Sequence, residues 1–364
     1  MQAFDMLGEI SVRPTLQDMA SILNLSKSTV SRALAGDPRV AEATRNRVVA
    51  LAERIGYRPN PIAQGLATRR TNIIGLAVPC APRSLSDPFY LEFLGAAGDT
   101  AMRYGYSLLL SAADGDGADE YHSHMELAHS ARIDGMILTE PKISDERVGI
   151  LRKMGLPFVF LGMVQDPDVS WVSGENTRGA ADAVTRLIDL GHKKIACVTG
   201  PADQTASETR FKGYKEALSE AGIPINLNIV ASGDFTQIGG YQAMKSILRH
   251  DSDISAVFAS NDVMAFGVMR ALREAGLVIP DDISVLGFDG IPLTQYVDPQ
   301  LATVRQPISE LGSTIVEVLV EQMNGKSLCP IHRVLDVKYQ PGGSVAPPSY
   351  QGAGEASSSA EGGE

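Results

Sequence analysis

The sequence predicts an α/β protein that joins a small helical unit to two lobes of doubly wound parallel sheet. Up to about residue 58, apolar residues recur at helical spacing. From Asn72 onward, short apolar runs alternate with amphipathic stretches, and this alternation occurs twice. The chain is therefore expected to form a three-helix headpiece followed by two sheets of similar construction.

Composition and charge agree with this division. The chain has 364 residues, of which 44% are apolar, so it can bury a full core and form more than one domain. The net charge is −11, but residues 13–72 carry about +6 and the remainder about −17. Only the first part suits a polyanion, and the acidic remainder should stand away from one.

A capping box predicts the first helix. Thr15 can accept a hydrogen bond at the helix start, and Asp18 can return one. Asn24 supplies a tight turn, and Ser26 caps a second helix. The inward-facing residues are predicted to be Leu16, Met19, Ala20 and Leu23 in the first helix and Val30, Ala33 and Leu34 in the second.

This arrangement is typical of a helix-turn-helix, whose second helix enters the major groove of DNA. A third helix is predicted over 40–56, which completes a headpiece over 13–58. Pro59 and Pro61 stop that helix and open a hinge over 59–71. The outward face of the second helix contains Lys27, Ser28, Thr29, Ser31 and Arg32, and the inward face of the third contains Val48, Val49, Leu51, Ala52 and Ile55.

The remaining domain is predicted over 72–348. The first lobe comprises 72–173 and 307–333, and the second 174–304 and 334–347. The segment after Pro341 is rich in Gly, Ser, Ala and Glu and is expected to be disordered, with 349–364 as a tail. Strands are predicted at 73–79, 107–111, 135–139, 158–161, 194–199, 229–231, 256–259, 283–287 and 333–338, with helices near 90–104, 118–131, 145–154, 178–190, 207–221, 237–249, 263–275 and 308–324.

Several other protein classes are disfavoured. Cys80, Cys197 and Cys329 are widely spaced, which predicts buried free thiols in a reducing cytosol. The N-terminus lacks the pattern of a signal peptide, and no apolar window approaches about 18 residues, so a cytoplasmic protein without membrane contact is expected.

An enzyme is the first rival interpretation, since such sheets host much chemistry. However, the sequence has no phosphate-binding loop, nucleophile elbow or metal-ligand spacing, so no catalytic residue, metal or cofactor is expected. Residues 114–117 suggest only part of a calcium loop, and His122 and His124 are expected to face solvent. The second rival, an exported sugar-binding protein, is disfavoured by the missing signal peptide and the attached DNA-reading helices.

Ordered motifs along residues 13–348 carry a family resemblance. They are TLQDMA at 15–20, SKSTVSR at 26–32, GYRPN at 56–60, IGL at 74–76, GHKKI at 191–195, RFKGY at 210–214, SND at 260–262, PDDISV at 280–285 and GFD at 287–289. Together they resemble the lactose/galactose repressor (LacI/GalR) family of bacterial transcription regulators. The resemblance implies a homodimer that binds a pseudo-palindromic DNA operator and answers to a small-molecule effector.

The resemblance also implies roles in DNA contact. Lys27, Ser28 and Arg32 take the positions that read base edges, although Lys27 and Arg32 also fit ordinary solvated charges. In the family, the hinge folds on the minor groove and a leucine wedges between base pairs, a place that Leu66 occupies here. Leu66 could instead be a simple core residue. Phosphate contacts are implied for Ser26, Thr29, Ser31 and Asn60, and further hinge contacts for Ala63 and Ala67.

A two-lobed sensor domain, like that of periplasmic binding proteins, is implied to hold the effector at the carboxyl ends of its strands. Arg210 and Asp289 offer donors and acceptors for vicinal hydroxyls, and Phe89 or Phe235 could stack on a sugar. Asn261 also fits a helix N-cap. The implied effector contacts are Asp87, Phe89, Arg210, Phe235, Asn261, Asp262, Asp289 and Gln306.

No effector contact is expected at two further positions. Gly162 departs from members of the family that carry a polar residue there, so no contact is expected of it, and Trp171 is expected to be structural.

The expected function is repression of carbohydrate transport or catabolism genes, with a sugar of the α-glucoside kind as effector. A purine-like ligand or a protein corepressor are the alternatives.

Overall fold

The computed structural model describes residues 14–58, 70–78, 87–111, 117–251, 253–327 and 329–349. The chain forms two compact units, one up to Thr71 and one from Asn72. Of the predicted positions, Asn60, Ala63, Leu66, Ala67, Cys80 and residues 114–116 and 350–364 lie outside the described residues.

The described residues of the first unit form three helices around a small apolar core. Helix α1 (Leu16–Leu23) begins with the predicted capping box between Thr15 and Asp18, and Asn24 adopts the left-handed conformation that turns the chain. Helix α2 (Lys27–Leu34) and helix α3 (Glu42–Ile55) follow. The prediction of Val49 as a core residue is wrong, because its side chain is 39% exposed. The buried residues of this core are Met19, Ala20, Val30, Ala33, Val40, Val48, Leu51 and Ala52.

The second unit contains two six-stranded sheets, each covered by helices on both faces. In the first lobe, the sheet order is β11-β5-β4-β3-β1-β2, and all its strands are parallel. The elements are β1 (Ile73–Ala77), α4 (Pro88–Arg103), β2 (Ser107–Ser111), α5 (Gly117–His129), β3 (Gly135–Thr139), α6 (Glu146–Met154), β4 (Phe158–Leu161), β5 (Trp171–Gly174), α11 (Ile308–Met323) and β11 (His332–Leu335).

The second lobe repeats this construction. Its sheet order is β12-β10-β9-β8-β6-β7, and only β12 runs antiparallel to its neighbour. The elements are α7 (Asn176–Asp189), β6 (Ile195–Thr199), α8 (Thr205–Glu220), a short 3-10 helix (Leu227–Ile229), β7 (Val230–Ser232), α9 (Gln237–His250), β8 (Ala256–Ala259), α10 (Asp262–Glu274), β9 (Ser284–Asp289), a second 3-10 helix (Pro292–Gln295), β10 (Ala302–Arg305) and β12 (Lys338–Gln340).

The final crossing between the lobes corrects one prediction. The single strand predicted over 333–338 is two strands, β11 in the first lobe and β12 in the second. The change of lobe therefore falls after Leu335 rather than at 333. Strands β5 and β10 were not predicted, because each is only four residues long and contains polar residues, so it carries no clear apolar run.

Three other predictions are wrong. Residues 341–349 are not a disordered tail: the Ser344 hydroxyl is fully buried and donates to the Val285 carbonyl. His124 is 1% exposed and its ring bonds the Val78 carbonyl, because the inner face of α5 packs on the sheet. Cys329 is exposed, whereas Cys197 is a buried free thiol as predicted.

Among the described residues, no helix is long and apolar enough to cross a membrane. The same residues contain no group of three or more His, Cys, Asp or Glu that could hold a metal ion.

Candidate functional site

The start of α2 is held by a network of hydroxyl groups. The Thr29 amide donates to Ser26 Oγ (3.1 Å), which caps the helix. The same Ser26 oxygen shares hydrogen bonds with the hydroxyls of Ser28 and Thr29, both at 2.8 Å. The first turn is therefore ordered by its own side chains before any ligand arrives.

The outward face of α2 carries positive charge. Lys27, Ser28, Ser31 and Arg32 are exposed, and Thr29 is half-buried. Neither Lys27 nor Arg32 forms an ion pair with any other described residue, so both cations are available to a partner. Nearby, Asp37 forms an ion pair with Arg39 (2.7 Å), and this contact lowers the pKa of the Asp37 carboxyl to about 2. The face resembles a docking surface for a polyanion rather than a network of internal ion pairs.

A cleft lies between the two lobes of the second unit. It has an open volume of about 650 Å³, solvent at its mouth included. Its walls are the carboxyl ends of strands from both sheets and the helix starts that follow them. The lining residues include seven of the eight predicted effector contacts: Asp87, Phe89, Arg210, Phe235, Asn261, Asp289 and Gln306.

Arg210 is the central side chain of the cleft. It projects from α8, is 6% exposed, and lies over the ring of Phe288 at 4.0 Å. Its Nε donates to Asn176 Oδ1 (2.8 Å), and its Nη1 donates to the Ser260 carbonyl. Its Nη2 pairs with Asp289 Oδ1 at 3.1 Å. The guanidinium is thus fixed in position by three different elements.

Asp289 is the acidic partner of Arg210. It ends β9 with a φ of 115°, a strained conformation for a residue other than glycine. Its Oδ1 also accepts from Gln306 Nε2 (2.8 Å), and Gln306 in turn fits because Gly174 has no side chain. Burial raises the pKa of Asp289, and Arg210 opposes that rise.

Asp87 caps α4 at another wall of the cleft. Its Oδ1 accepts from the Phe89 amide at 2.9 Å. Burial, followed by the nearby charge of Asp289, raises the pKa of Asp87 to about 6, while Arg210 partly offsets the rise. The carboxyl group is therefore sensitive to charge that enters the cleft.

Two predicted contacts have a clear structural role. Asn261 caps α10 by accepting from the Met264 amide (2.8 Å), and its Nδ2 donates to the Phe235 carbonyl (3.1 Å). The N-cap interpretation of Asn261 is therefore confirmed, and because Asn261 also lines the cleft, its contact with an effector stays a prediction. Asp262 does not line the cleft: it is fully buried and accepts from the amides of Gly290 and Ile291 and the hydroxyl of Thr303. The prediction of Asp262 as an effector contact is wrong, because its carboxylate is used to hold the β9 loop.

Three lining residues that the sequence interpretation missed join the lobes. Glu140, after β3, accepts from Tyr90 OH (2.9 Å) in its own lobe and from Gln204 Nε2 (3.0 Å) in the other. A polar residue directly after an apolar strand was the only available signal for Glu140. Trp171, by contrast, is buried in β5 against the ring of His332, as predicted.

The main chain also joins the lobes at this place. The Ile143 amide donates to the Asp203 carbonyl (2.8 Å), and the Thr205 amide donates to the Pro141 carbonyl (3.0 Å). Lys142 and Asp203 add an ion pair at 3.1 Å. We call residues 140–143 and 203–205 with these contacts the cross-lobe clasp.

A helix-turn-helix unit joined to a two-lobed α/β domain of periplasmic-binding-protein type defines a class of bacterial transcription regulators. The profile for "Bacterial regulatory proteins, lacI family" matches residues 15–60, and that for a "Periplasmic binding protein-like domain" matches residues 184–345. The chain belongs to the lacI family.

Similar proteins and solved structures support this family membership. Catabolite control protein A of Priestia megaterium is 34% identical over 316 residues, which cover 86% of this chain and 94% of that protein. A "transcriptional regulator CelR-cellobiose complex" is 31% identical with a TM-score of 0.72, covering 91% of this chain and 100% of the other. A lac repressor dimer bound to operator and the anti-inducer ONPF is 26% identical with a TM-score of 0.82, covering 92% and 99%.

Proposed function

We propose that this protein is a cytoplasmic, homodimeric repressor of carbohydrate transport or catabolism genes, controlled by a sugar that binds in the cleft. The single observation that carries the proposal is the exposed cationic face of α2 in the same chain as a polar, two-lobed cleft. Lys27, Ser28 and Arg32 read bases, while Ser26, Thr29, Ser31 and Asn60 contact phosphates. Leu66, with Ala63 and Ala67, contacts the minor groove.

The effector part of the proposal is supported by the side chains of the cleft. Arg210 and Asp289 present a donor and an acceptor side by side, which suits vicinal hydroxyls. Phe89 and Phe235 supply aromatic faces for a sugar ring. The solved CelR complex contains cellobiose, a β-linked disaccharide of glucose, which supports a sugar effector built from glucose. For this protein we propose an α-glucoside or related sugar, a choice of linkage that rests on the cleft and not on that complex.

Selection of bound duplexes from a random DNA pool tests the regulator. We expect a two-fold symmetric sequence, because one α2 helix contacts only a half-site and a dimer contacts two. Affinity for that sequence should fall by about 10³ to 10⁵ between 50 and 200 mM salt if roughly six to ten phosphates are neutralised. Failure to enrich any sequence would contradict the proposal.

Titration of the selected operator complex with sugars then tests the effector. A sugar that releases the DNA is an inducer, and one that tightens binding is a corepressor. A sugar that binds the protein without changing operator affinity would contradict a regulatory role for the cleft.

A further inference from the structure

We propose that the aromatic ring of Phe235 covers a second sugar subsite of the cleft. A disaccharide effector displaces the ring and places one of its two sugar units against Gly200 and Ser207, while the other unit lies at Arg210. This inference rests on the proposed function, because it takes the cleft as the effector site, and it adds the size of the effector. We call the space that the Phe235 ring fills beside Gly200 and Ser207 the covered subsite.

The hydroxyl of Ser207 points to a ligand. Ser207 lies in α8, one turn before Arg210, and is 3% exposed. Its Oγ is buried, and no hydrogen bond from another described residue reaches it. Ser260, which follows β8 and whose carbonyl accepts from Arg210, has a second hydroxyl of this kind. A buried hydroxyl without a partner costs free energy, so a group that enters from the cleft and pairs with it gains affinity.

The ring of Phe235 separates Ser207 from the cleft. Phe235 lines the cleft, whereas Gly200 and Ser207 do not. A Cβ atom on Gly200 would overlap both Phe235 Cζ and Ser207 Oγ, so the edge of the ring and the hydroxyl come together over a residue that has no side chain. The ring therefore occupies the space through which a ligand in the cleft would reach Ser207.

The backbone of Phe235 is strained in this position. Its φ is 62°, in the left-handed region that bulky residues rarely adopt. The residue lies in the turn between β7 and α9, beside the exposed Asp234, and Asn261 Nδ2 donates to its carbonyl at 3.1 Å. Strain of this kind is typical of ligand clamps and switch regions. A change of φ to a negative value relieves the strain and moves the ring away from Ser207.

The surface beneath the ring suits a sugar unit. A group that replaces the Phe235 ring has to pack on Gly200 and also pair with the Ser207 hydroxyl. A pyranose ring does both, because it has an apolar C–H face and hydroxyl groups at its edge that donate and accept. The displaced Phe235 ring then supplies an aromatic face to the bound sugar.

Alkylation of the Ser207→Cys variant tests the cover without any ligand. Cys80→Ser and Cys329→Ser remove two native thiols from the full chain, and Cys197 stays as the internal reference, because it is fully buried in β6. The introduced thiol should react with iodoacetamide at least tenfold faster than Cys197, since movement of one ring exposes it. Phe235→Ala should accelerate it at least tenfold more. Equal rates at the two thiols, or no acceleration by Phe235→Ala, overturn the inference.

Calorimetry with maltose, cellobiose and glucose tests the occupant. At least one disaccharide should bind tenfold or more tightly than glucose, and it should slow alkylation of the introduced thiol at least tenfold. Ser207→Ala should weaken that disaccharide several-fold, because one hydrogen bond is lost. Ser219→Ala, at the exposed far end of α8, is the control and should change nothing. Glucose that binds as tightly as both disaccharides, or unchanged affinity in Ser207→Ala, overturns the inference.

The outcome without binding is also decisive. If neither disaccharide binds while the protein still binds its selected operator, the inference is overturned and the regulator part of the proposed function stands. If sequence-specific operator binding is absent, the proposed function itself has failed, while the alkylation rates still show whether the Phe235 ring moves.

Discussion

The two functional regions of this protein are organised in opposite ways. On α2, Lys27 and Arg32 are exposed and form no ion pair with described residues, so their function depends on the partner that binds to them. In the cleft, Arg210 is buried and joined to Asn176, Ser260 and Asp289. A substitution in the first region should change binding alone, whereas one in the second should change binding and folding together.

Arg210→Ala should show the largest effect. It leaves Asp289 buried without its cation and removes three contacts, so we expect a loss of about 3 to 5 kcal/mol in the free energy of unfolding. Effector affinity should fall tenfold to a hundredfold or more as well. Denaturant unfolding and calorimetry measure the two losses. Arg270→Ala, whose side chain is 71% exposed, is the control and should change neither. A stable Arg210→Ala variant would break the contrast between the two regions.

Arg32→Ala should reduce binding without affecting the fold. We expect a cost of about 1 to 3 kcal/mol per half-site on the selected operator and little on random DNA, because a base contact is sequence-specific. The unfolding curve should match that of the unmodified protein. Fluorescence anisotropy with both DNAs measures this, and Arg132→Ala, an exposed arginine of the acidic unit, is the control. Equal losses of affinity for the operator and for random DNA would show that Arg32 contacts phosphate and not a base.

Ser26→Ala tests whether the reading helix is ordered in advance. The change removes the oxygen that accepts from the Thr29 amide, so the helix start should lose about 1 kcal/mol. Hydrogen exchange of the amides in α2 should be faster, while exchange in the second unit stays the same. Ser21→Ala on α1 is the control. Unchanged exchange in α2 would show that the hydroxyl network contributes little.

The remaining expected effect is a pH dependence at Asp87. The folded protein holds the Asp87 proton more tightly than the unfolded chain, because the pKa rises from 3.8 to about 6. The folded state therefore binds more protons between these values, and the contribution of Asp87 to stability falls as pH rises from about 4 to 6.

A comparison with Asp87→Asn isolates this contribution, because the asparagine does not titrate. The difference in melting temperature between the variant and the unmodified protein should shift by a few degrees in favour of the variant as pH rises. The groups that act on Asp87 are Asp289 and Arg210, which stay unchanged in both proteins. A constant difference across this range would contradict the burial of the carboxyl group.

Features that depend on neighbouring residues in the sequence were predicted well. The capping box of Thr15 and Asp18, the Ser26 cap and the uninterrupted apolar runs of β3 and β4 need only local patterns. The strand ends also placed seven effector candidates at one cleft, because parallel strands end on the same side of a sheet.

Features that depend on distant residues were missed. Asp262 follows a strand, as the ligand candidates do, yet its carboxylate turns toward the amides of the β9 loop. The contact between Glu140 and Gln204 joins residues from different lobes, so no local spacing predicts it. Strand β11 pairs with β5 and not with the strand that follows it, and only the assembled sheet decides that pairing.

The cross-lobe clasp affects the equilibrium between a shut and an open arrangement of the two lobes. Parting the lobes must break two backbone hydrogen bonds, the bond between Glu140 and Gln204, and the ion pair between Lys142 and Asp203. At a net value of about 1 kcal/mol for each hydrogen bond, these contacts give the empty protein several kcal/mol toward the shut arrangement before any sugar arrives. An effector that prefers the shut arrangement a hundredfold adds only about 2.7 kcal/mol to that balance. An effector that prefers the shut arrangement therefore reinforces a state that these contacts already favour, whereas an effector that prefers the open arrangement has to overcome them.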